Sequence, residues 1–324
     1  MKTFKYILKR LGLMFVTLFI IMTTVFVLVR LLPNQIPDGL GDFAAATRAM
    51  HKAWGYDKPI MVQYGIFLKN VFTKWDWGFC TTVGTFLAPV TSFLASKFPP
   101  TIYINVISVL ISLPLGILLG IIAAVKKNTW IDHLISTLVM LFISVPSYVY
   151  AFVVQYWLGF KFGWFPLVAE GGSNYFSYSY FHSMVLPILA MSFGIIAGYT
   201  RFVRAELTES LTSEYMLLAR AKGLTRRQAT IHHALRNAFV PILPSILAEF
   251  MALLGGSLII EKIFGIPGVG YVFISAINLR DYSVFMYVSM FYTTIGLAGS
   301  IITDLSYGFL DPRIRIGGGK TNEL

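Results

Sequence analysis

The chain has 324 residues, of which 56% are hydrophobic and only 13% are charged. A soluble domain of this size carries about twice that share of charged residues, so the composition is that of an integral membrane protein. The formal net charge is +11, but the basic residues stand in short clusters beside apolar runs. This arrangement indicates membrane topology and excludes nucleic acid as an expected partner.

The residues needed for catalysis or metal binding are not recognisable in the sequence. Cys80 is the one cysteine, and the adjacent His232 and His233 point to different faces of a helix. The stretch GGGKT at 317–321 resembles the end of a phosphate-binding loop. However, Ile314 stands where that loop requires glycine, and no strand precedes it. We therefore expect no catalytic residue, no metal and no cofactor bound by this chain.

Six apolar runs are long enough to cross a bilayer, which takes about 20 residues of helix. They cover residues 11–32, 101–125, 134–160, 183–203, 238–260 and 284–306. Basic residues precede the first run, follow the second, occupy the stretch between the fourth and fifth, and end the chain. By the positive-inside rule these basic segments and both termini are cytoplasmic. The sequence predicts an all-α integral membrane protein with six transmembrane helices.

These runs divide the chain into segments. Residues 1–10 and 307–324 are the predicted cytoplasmic ends, residues 33–100 form an outer segment after the first span, and residues 101–306 form a five-helix core. The outer segment contains a predicted amphipathic helix near 43–52. Its tryptophans at 54, 75 and 77 suit either the outer membrane interface or the interior of the loop, and both alternatives remain open.

Four residues within the spans are candidates for lining a path through the bundle. Pro146, Gly255 and Gly256 let helices bend or approach closely, although ordinary packing explains such residues as well. Glu249 lies in the middle of the fifth run, where a carboxylate must face a polar cavity, find a partner or be protonated. Asp304, nearer the cytoplasmic end, is expected to be neutralised by Arg313 or by a partner chain.

The segment from 261 to 281 cannot be one continuous helix, because it contains the sequence FGIPGVG. We predict a tightly turned or re-entrant segment at the outer mouth, since irregular backbone is tolerated where protein buries it. The candidate residues of this outer gate region are Glu261, Phe264, Gly265, Pro267 and Gly268.

The stretch 214–236 is the longest polar interruption of the second half of the chain. Gly223 suits the end of one helix, and Thr225 with Gln228 forms a capping-box pattern that begins another. Apolar residues on the first helix, expected to share one face, and basic residues near the turn predict a docking surface within the cytoplasmic loop 204–236. Its candidate residues are Glu214, Tyr215, Leu218, Ala219, Arg220, Ala221, Lys222, Gly223, Arg226 and Arg227.

With this topology and turn, the sequence resembles the membrane-spanning permease subunits of binding-protein-dependent ABC importers, in particular the first permease of dipeptide and oligopeptide systems. The most specific match is ARAKGL at 219–224 with HALRNA at 233–238, which is similar to the EAA loop of that family. The tryptophans in WDWG at 75–78 depart from the usual outer motif. Further similar motifs are FVLVRLLP at 26–33, YDKPIMVQY at 56–64, SLPLG at 112–116, SVPS at 144–147, EKIFGIPGVG at 261–270, RDY at 280–282 and DPRIR at 311–315.

The resemblance implies a type I ABC importer fold in a bacterial or archaeal inner membrane. It implies a second homologous permease, two ABC ATPase subunits that bind ATP and Mg²⁺, an extracellular or periplasmic binding protein, a peptide substrate and surrounding lipid. The loop around Gly223 would be the coupling helix that contacts an ATPase, and the chain itself would not be an enzyme. Nickel chelates, glutathione and other small solutes remain alternative substrates.

Three other classes of function are compatible with a membrane protein of this composition. A proton-coupled secondary transporter would use Glu249 as its carrier group and would work without partners. A receptor or structural subunit would leave the docking loop unexplained. A membrane enzyme is least supported, because no nucleophile, base and orienting group occur together.

Overall fold

The computed structural model describes residues 2–32, 42–172, 174–253 and 258–310. All regular elements there are helices, because a chain crossing lipid satisfies its backbone groups within each helix. In chain order they are α1 (Lys2–Leu31), α2 (Asp42–Ala53), α3 (Ile60–Lys74), α4 (Val90–Ala95), α5 (Phe98–Val125), α6 (Trp130–Ser144), α7 (Ser147–Val154, continued by a π-helix Gln155–Lys161), α8 (Tyr178–Thr212), α9 (Glu214–Ala221), α10 (Arg226–Ala229, continued by a π-helix Thr230–Ala234), α11 (Leu235–Leu253), α12 (Leu258–Ile263), α13 (Val269–Asn278) and α14 (Tyr282–Leu310).

The predicted spans are found, with one of them broken. Among the described residues, five helical stretches are long and apolar enough to cross a membrane, and the pair α6 and α7 supplies a sixth crossing if it counts as one span. That pair bends by 100° at Pro146, so the run 134–160 is not one straight helix. The Tyr150 hydroxyl donates to the carbonyls of Leu141 and Phe142 at 3.2 and 2.8 Å. It thereby satisfies acceptors that the break leaves without helical partners.

The close contact between α5 and α8 is the centre of the bundle. A Cβ atom on Gly116 would lie 2.9 Å from the Ile196 carbonyl oxygen, and one on Gly120 would lie 2.7 Å from the Val203 Cβ. The Thr200 hydroxyl donates to the Gly116 carbonyl at 3.2 Å across the same contact. Glycines four residues apart let two membrane helices approach until their backbones touch.

The outer segment packs on α1 and α14 instead of standing free. The predicted amphipathic helix is α2, and α3 follows it. Trp54 and Trp77 are buried in one cluster with Phe26, whereas Trp75 is exposed. Each of the two alternatives thus holds for part of the set. Trp54 and Trp77 lie inside the protein, and Trp75 has the exposure expected of a residue at the membrane interface.

An ion pair joins the first and last spans at one end of the bundle. Arg10 Nη2 lies 2.9 Å from Asp304 Oδ2, and both side chains are partly exposed. Arg10 thus takes the role that we expected of Arg313, which lies outside the described residues. The pair brings the basic N-terminal end of α1 to the same side as the end of α14, as an even number of spans requires.

The close contact at Gly120 predicts that a larger side chain there destabilises the protein. We expect Gly120→Leu to lower the free energy of unfolding by about 1–3 kcal/mol, because the added atoms collide with the α8 backbone and Val203. Thermal denaturation of the purified protein in detergent measures this loss. The control is Gly12→Leu, since a Cβ there meets nothing within 4 Å. Equal melting temperatures for both variants would contradict the packing described.

Candidate functional site

Two short helices meet at Gly223 in the loop between α8 and α11. Gly223 has φ +90°, a left-handed conformation that glycine adopts without strain. The Thr225 hydroxyl accepts from the Gln228 N–H at 3.3 Å, and the Gln228 side chain accepts from the Thr225 N–H at 3.0 Å. The predicted bend and capping box are both confirmed.

The inner side of this loop packs on the membrane helices. Met216 and Ala219 of α9 are buried there, in a cluster that also contains Ala124, Leu207, Ala229, Ala234 and Ala238. We expected Tyr215, Leu218 and Ala219 to share one face of the first helix, but Ala219 is buried whereas the other two are exposed. A small side chain is required at 219 because α9 lies close against its neighbours, so Ala219 supports the loop from within.

The outer side of the loop exposes large apolar side chains. Leu217, Leu218 and Ile231 are 65%, 57% and 50% exposed, and Tyr215 is 36% exposed. We call these four residues, with the basic residues around them, the coupling surface. Sequence reasoning missed Leu217, although two adjacent leucines in a polar loop are an available signal. The remaining predicted docking residues are all exposed: Glu214, Arg220, Ala221, Lys222, Gly223, Arg226 and Arg227.

An ion pair with a buried carboxylate connects α8 to the preceding span, about three turns before the coupling surface begins. Arg204 Nε and Nη2 donate to the two carboxylate oxygens of Asp132 at 2.6 and 2.9 Å. Asp132 is 1% exposed and also accepts from the Asn128 N–H at 2.9 Å. Asp132 lies just before the predicted third run, so the apolar pattern gave no signal for this pair. The two parallel bonds fix the start of α6 against α8.

The outer gate region is a packed turn built around a buried carboxylate. Glu261 is fully buried, and its Oε1 accepts from the Thr101 hydroxyl at 2.9 Å while its Oε2 accepts from the Tyr271 N–H at 3.0 Å. The Thr101 oxygen in turn accepts from the Val269 N–H at 2.9 Å. The start of α5, the end of α12 and the start of α13 are thereby joined at one point.

Glycine is required where this turn passes the carboxylate. A Cβ on Gly268 would lie 2.3 Å from Thr101 Oγ1 and 2.5 Å from Glu261 Oε2. Gly265 has φ +62°, and a Cβ there would meet Val168 at 3.9 Å without a collision. Phe264 is fully buried and Pro267 is exposed. The predicted tight turn is confirmed, and all five candidate residues lie in it.

A third buried carboxylate, Asp281, holds the outer segment. Asp281 Oδ2 accepts from the backbone N–H groups of Thr81, Thr82 and Val83 at 2.7, 2.9 and 3.1 Å. Burial, and next the Asp281 carboxylate, raise the pKa of the Cys80 thiol to about 12. Cys80 therefore stays protonated at neutral pH, which gives it the weak reactivity of a structural cysteine.

The two candidate path residues that the structure describes, Glu249 and Pro146, do not line a common cavity. Glu249 lines a groove of about 320 Å³ between α8 and α11, together with Tyr199 and Ser245. Pro146 lies at the break of the third span and does not line that groove. Gly255 and Gly256 lie outside the described residues. Glu249 is thus the candidate that the structure places beside a cavity.

Comparison with known proteins gives two family matches that together cover most of the chain. Residues 116–316 match the family described as binding-protein-dependent transport system inner membrane component, and residues 3–105 match its N-terminal family. The chain is 36% identical over 319 residues to the dipeptide transport system permease protein of Lactococcus lactis subsp. cremoris, with 96% of this chain and 99% of that protein covered.

Two further relatives are named for dipeptide and for glutathione transport. The dipeptide transport system permease protein of Bacillus subtilis is 32% identical, and the glutathione transport system permease protein of Pectobacterium atrosepticum is 31% identical, each over 96% of this chain and 98% of the relative. A crystal structure of an amino acid ABC transporter with histidines matches with a TM-score of 0.52 at 19% identity, over 68% of this chain and 94% of that one. The structural match shows the fold alone.

The fold and the relatives define the class of protein as the multi-pass permease subunit of an ABC importer. The chain belongs to the family of binding-protein-dependent transport system inner membrane components. It is a transport subunit of the inner membrane without an ATPase site of its own, as are its homologous permeases.

The turn around Glu261 yields a paired prediction. We expect Gly268→Ala to lower the free energy of unfolding by about 3–5 kcal/mol, because the methyl group collides with Thr101 and Glu261 and breaks their buried hydrogen bonds. Gly265→Ala strains only the backbone and should cost about 1–2 kcal/mol. Thermal denaturation in detergent ranks the two variants. If Gly265→Ala were the less stable, the turn would not depend on the buried carboxylate.

Proposed function

We propose that this chain forms, with a second homologous permease, the path by which di- or oligopeptides enter the cell. A binding protein outside the membrane delivers the peptide, and two ATPase subunits beneath the membrane bind ATP and Mg²⁺. The exposed apolar coupling surface carries the proposal. Leu217, Leu218 and Ile231 lie in a basic, water-facing loop, and exposing apolar side chains to water does not stabilise the isolated chain. A partner protein that covers them explains this exposure.

The connections of the loop explain how such a partner could act on the membrane helices. The loop packs through the buried side of α9 on α8 and on the start of α11. The Arg204 to Asp132 pair fixes α8 to α6 nearby. Closure of the ATPases would therefore move these helices as packed bodies and switch the path between inward- and outward-facing states.

The assignment of peptides as substrate is supported by the names of the relatives. Two dipeptide permeases are 36% and 32% identical to this chain, against 31% for a glutathione permease. Glutathione is itself a small peptide, so the alternatives share a chemistry of amide bonds with free amino and carboxyl groups. Nickel chelates lack that support among these relatives.

Uptake into liposomes tests the proposal. The chain is reconstituted with its second permease, both ATPases and the binding protein, with ATP enclosed beside the ATPases. We expect uptake of a radiolabelled dipeptide that stops when ATP, the binding protein or the second permease is left out. Peptide uptake by this chain alone, driven by a proton gradient, would contradict the proposal and assign a secondary transporter.

A substitution at Gly223 tests whether the loop docks on the ATPase or serves only the folding of this chain. We expect Gly223→Trp to abolish ATP-dependent uptake while the protein remains in the membrane, because a bulky group at the turn holds the coupling surface away from the ATPase. A tryptophan at either position has to adopt a left-handed backbone conformation, which costs about 1–2 kcal/mol. The control Gly163→Trp therefore introduces the same backbone strain. Gly163 also has a positive φ and open space around it, but it lies in the loop between α7 and α8.

The two tryptophan variants are compared by uptake and by co-purification of the ATPases. The control should retain both. If Gly223→Trp also retained uptake and complex assembly, this loop would not be the docking site.

A further inference from the structure

An open groove between α8 and α11 has the size of a small ligand site. Its volume is about 320 Å³, at the lower end of the range of about 300–1,000 Å³ for ligand pockets. It lies in the two helices that lead to and from the coupling surface. The groove is lined by Gly194, Ile195, Gly198, Tyr199, Phe202, Ser245 and Glu249.

Glu249 is the one charged residue among these seven. A carboxylate at membrane depth is costly unless a partner compensates it. In the part of the chain that the structure describes, no group donates a hydrogen bond to Glu249 and no cation pairs with it. By contrast, the buried acids Asp132 and Glu261 each receive at least two hydrogen bonds.

The polar neighbours of Glu249 donate elsewhere. The Tyr199 hydroxyl donates to the Ser245 carbonyl at 2.8 Å, and the Ser245 hydroxyl donates to the Ile242 carbonyl at 2.7 Å. The two hydroxyl groups of the groove that could donate to a carboxylate therefore bond to backbone carbonyls of α11 instead. No described side chain of the groove thus compensates a charge on Glu249, and a cationic group that enters the groove would supply that compensation.

The floor of the groove leaves room for such a molecule. A Cβ on Gly194 or Gly198 would meet nothing within 4 Å. These glycines differ from Gly116 and Gly120, whose Cβ atoms would collide with α8. On α8 itself, the missing side chains create space beside Glu249 instead of a helix contact.

We propose that this groove is a peptide subsite in which Glu249 is the counter-ion of the N-terminal ammonium of the passing peptide. This inference rests on the proposed function, since it needs a peptide that travels between α8 and α11. Every free peptide carries this group, which is largely protonated at neutral pH because its ordinary pKa is about 8. A fixed carboxylate thus recognises peptides of any sequence, while Ile195 and Phe202 offer apolar contact to varied side chains.

Two variants of Glu249 in the complete reconstituted complex distinguish the effect of its charge from the effect of its size. We expect Glu249→Gln to lower peptide uptake about tenfold or more, since one member of a desolvated charge pair is lost. Glu249→Asp should stay close to the parent rate because it keeps the charge. As a matched control, Asp57→Asn removes an exposed carboxylate from the outer segment and should leave uptake unchanged.

ATP hydrolysis and complex assembly are measured on the same samples. Stimulation of the ATPases by the loaded binding protein should persist in Glu249→Gln, so that peptide uptake falls relative to ATP consumed. Parent-like uptake by Glu249→Gln would overturn the proposal. Failure of that variant to assemble would also overturn it, because Glu249 would then hold the two permeases together.

Chemical coupling tests the ammonium contact directly. A membrane-permeable carbodiimide joins a carboxylate to a primary amine that lies beside it. We expect a labelled dipeptide to become attached at Glu249 in the parent complex during transport, with the site mapped by mass spectrometry, and not in Glu249→Gln. Peptide uptake without attachment at Glu249 would refute this inference and leave the proposed function intact, whereas absence of peptide uptake by the parent would refute the proposed function itself.

Discussion

The contact between α5 and α8 is the constraint on which the rest of the structure depends. Gly116 and Gly120 bring the two helices to backbone distance, and Thr200 adds a hydrogen bond where they touch. In a membrane, helix association gains little from the hydrophobic effect, so close packing and polar contacts have to supply the specificity. This contact leaves α8 with a fixed inner side, and its remaining surface can carry the functional elements.

Helix α8 brings two of these elements into one rigid body. Its end leads through Ser213 into the coupling surface, and its middle forms one wall of the groove beside Glu249. Helix α11 has the same two attachments from the other side of the loop, because Ala238 packs under the coupling surface and Ser245 lines the groove. A force applied to the loop therefore reaches the groove through two continuous helices, and no flexible linker lies between them.

The sequence predicted the features that depend on neighbouring residues. The bend at Gly223 and the capping box of Thr225 and Gln228 are local, and apolar runs of about 20 residues indicate spans directly. Likewise, the glycines and proline after Phe264 forbid a continuous helix whatever packs around them. These features need no knowledge of the tertiary fold, and the structure contains each of them.

The features that escaped prediction join distant parts of the chain. Thr101 and Glu261 are 160 residues apart, and the pairing of Asp132 with Arg204 requires that two spans lie side by side. The inward position of Ala219 is a tertiary effect as well, since helical spacing alone places it within reach of Tyr215. Likewise, the burial of Trp54 and Trp77 depends on α1 and α14 covering a segment that the composition leaves open between interface and interior.

The attachment of the outer segment to Asp281 has a consequence for how this surface can change. Its three donors are main-chain N–H groups of residues 81–83, and every amino acid except proline supplies such a group. These three hydrogen bonds exclude only proline, whereas the Thr82 hydroxyl also donates to the Leu279 carbonyl at 3.0 Å and Val83 is buried in the core. The side chain at the half-buried Thr81 can therefore vary while the joint between this segment and the helix bundle keeps its geometry.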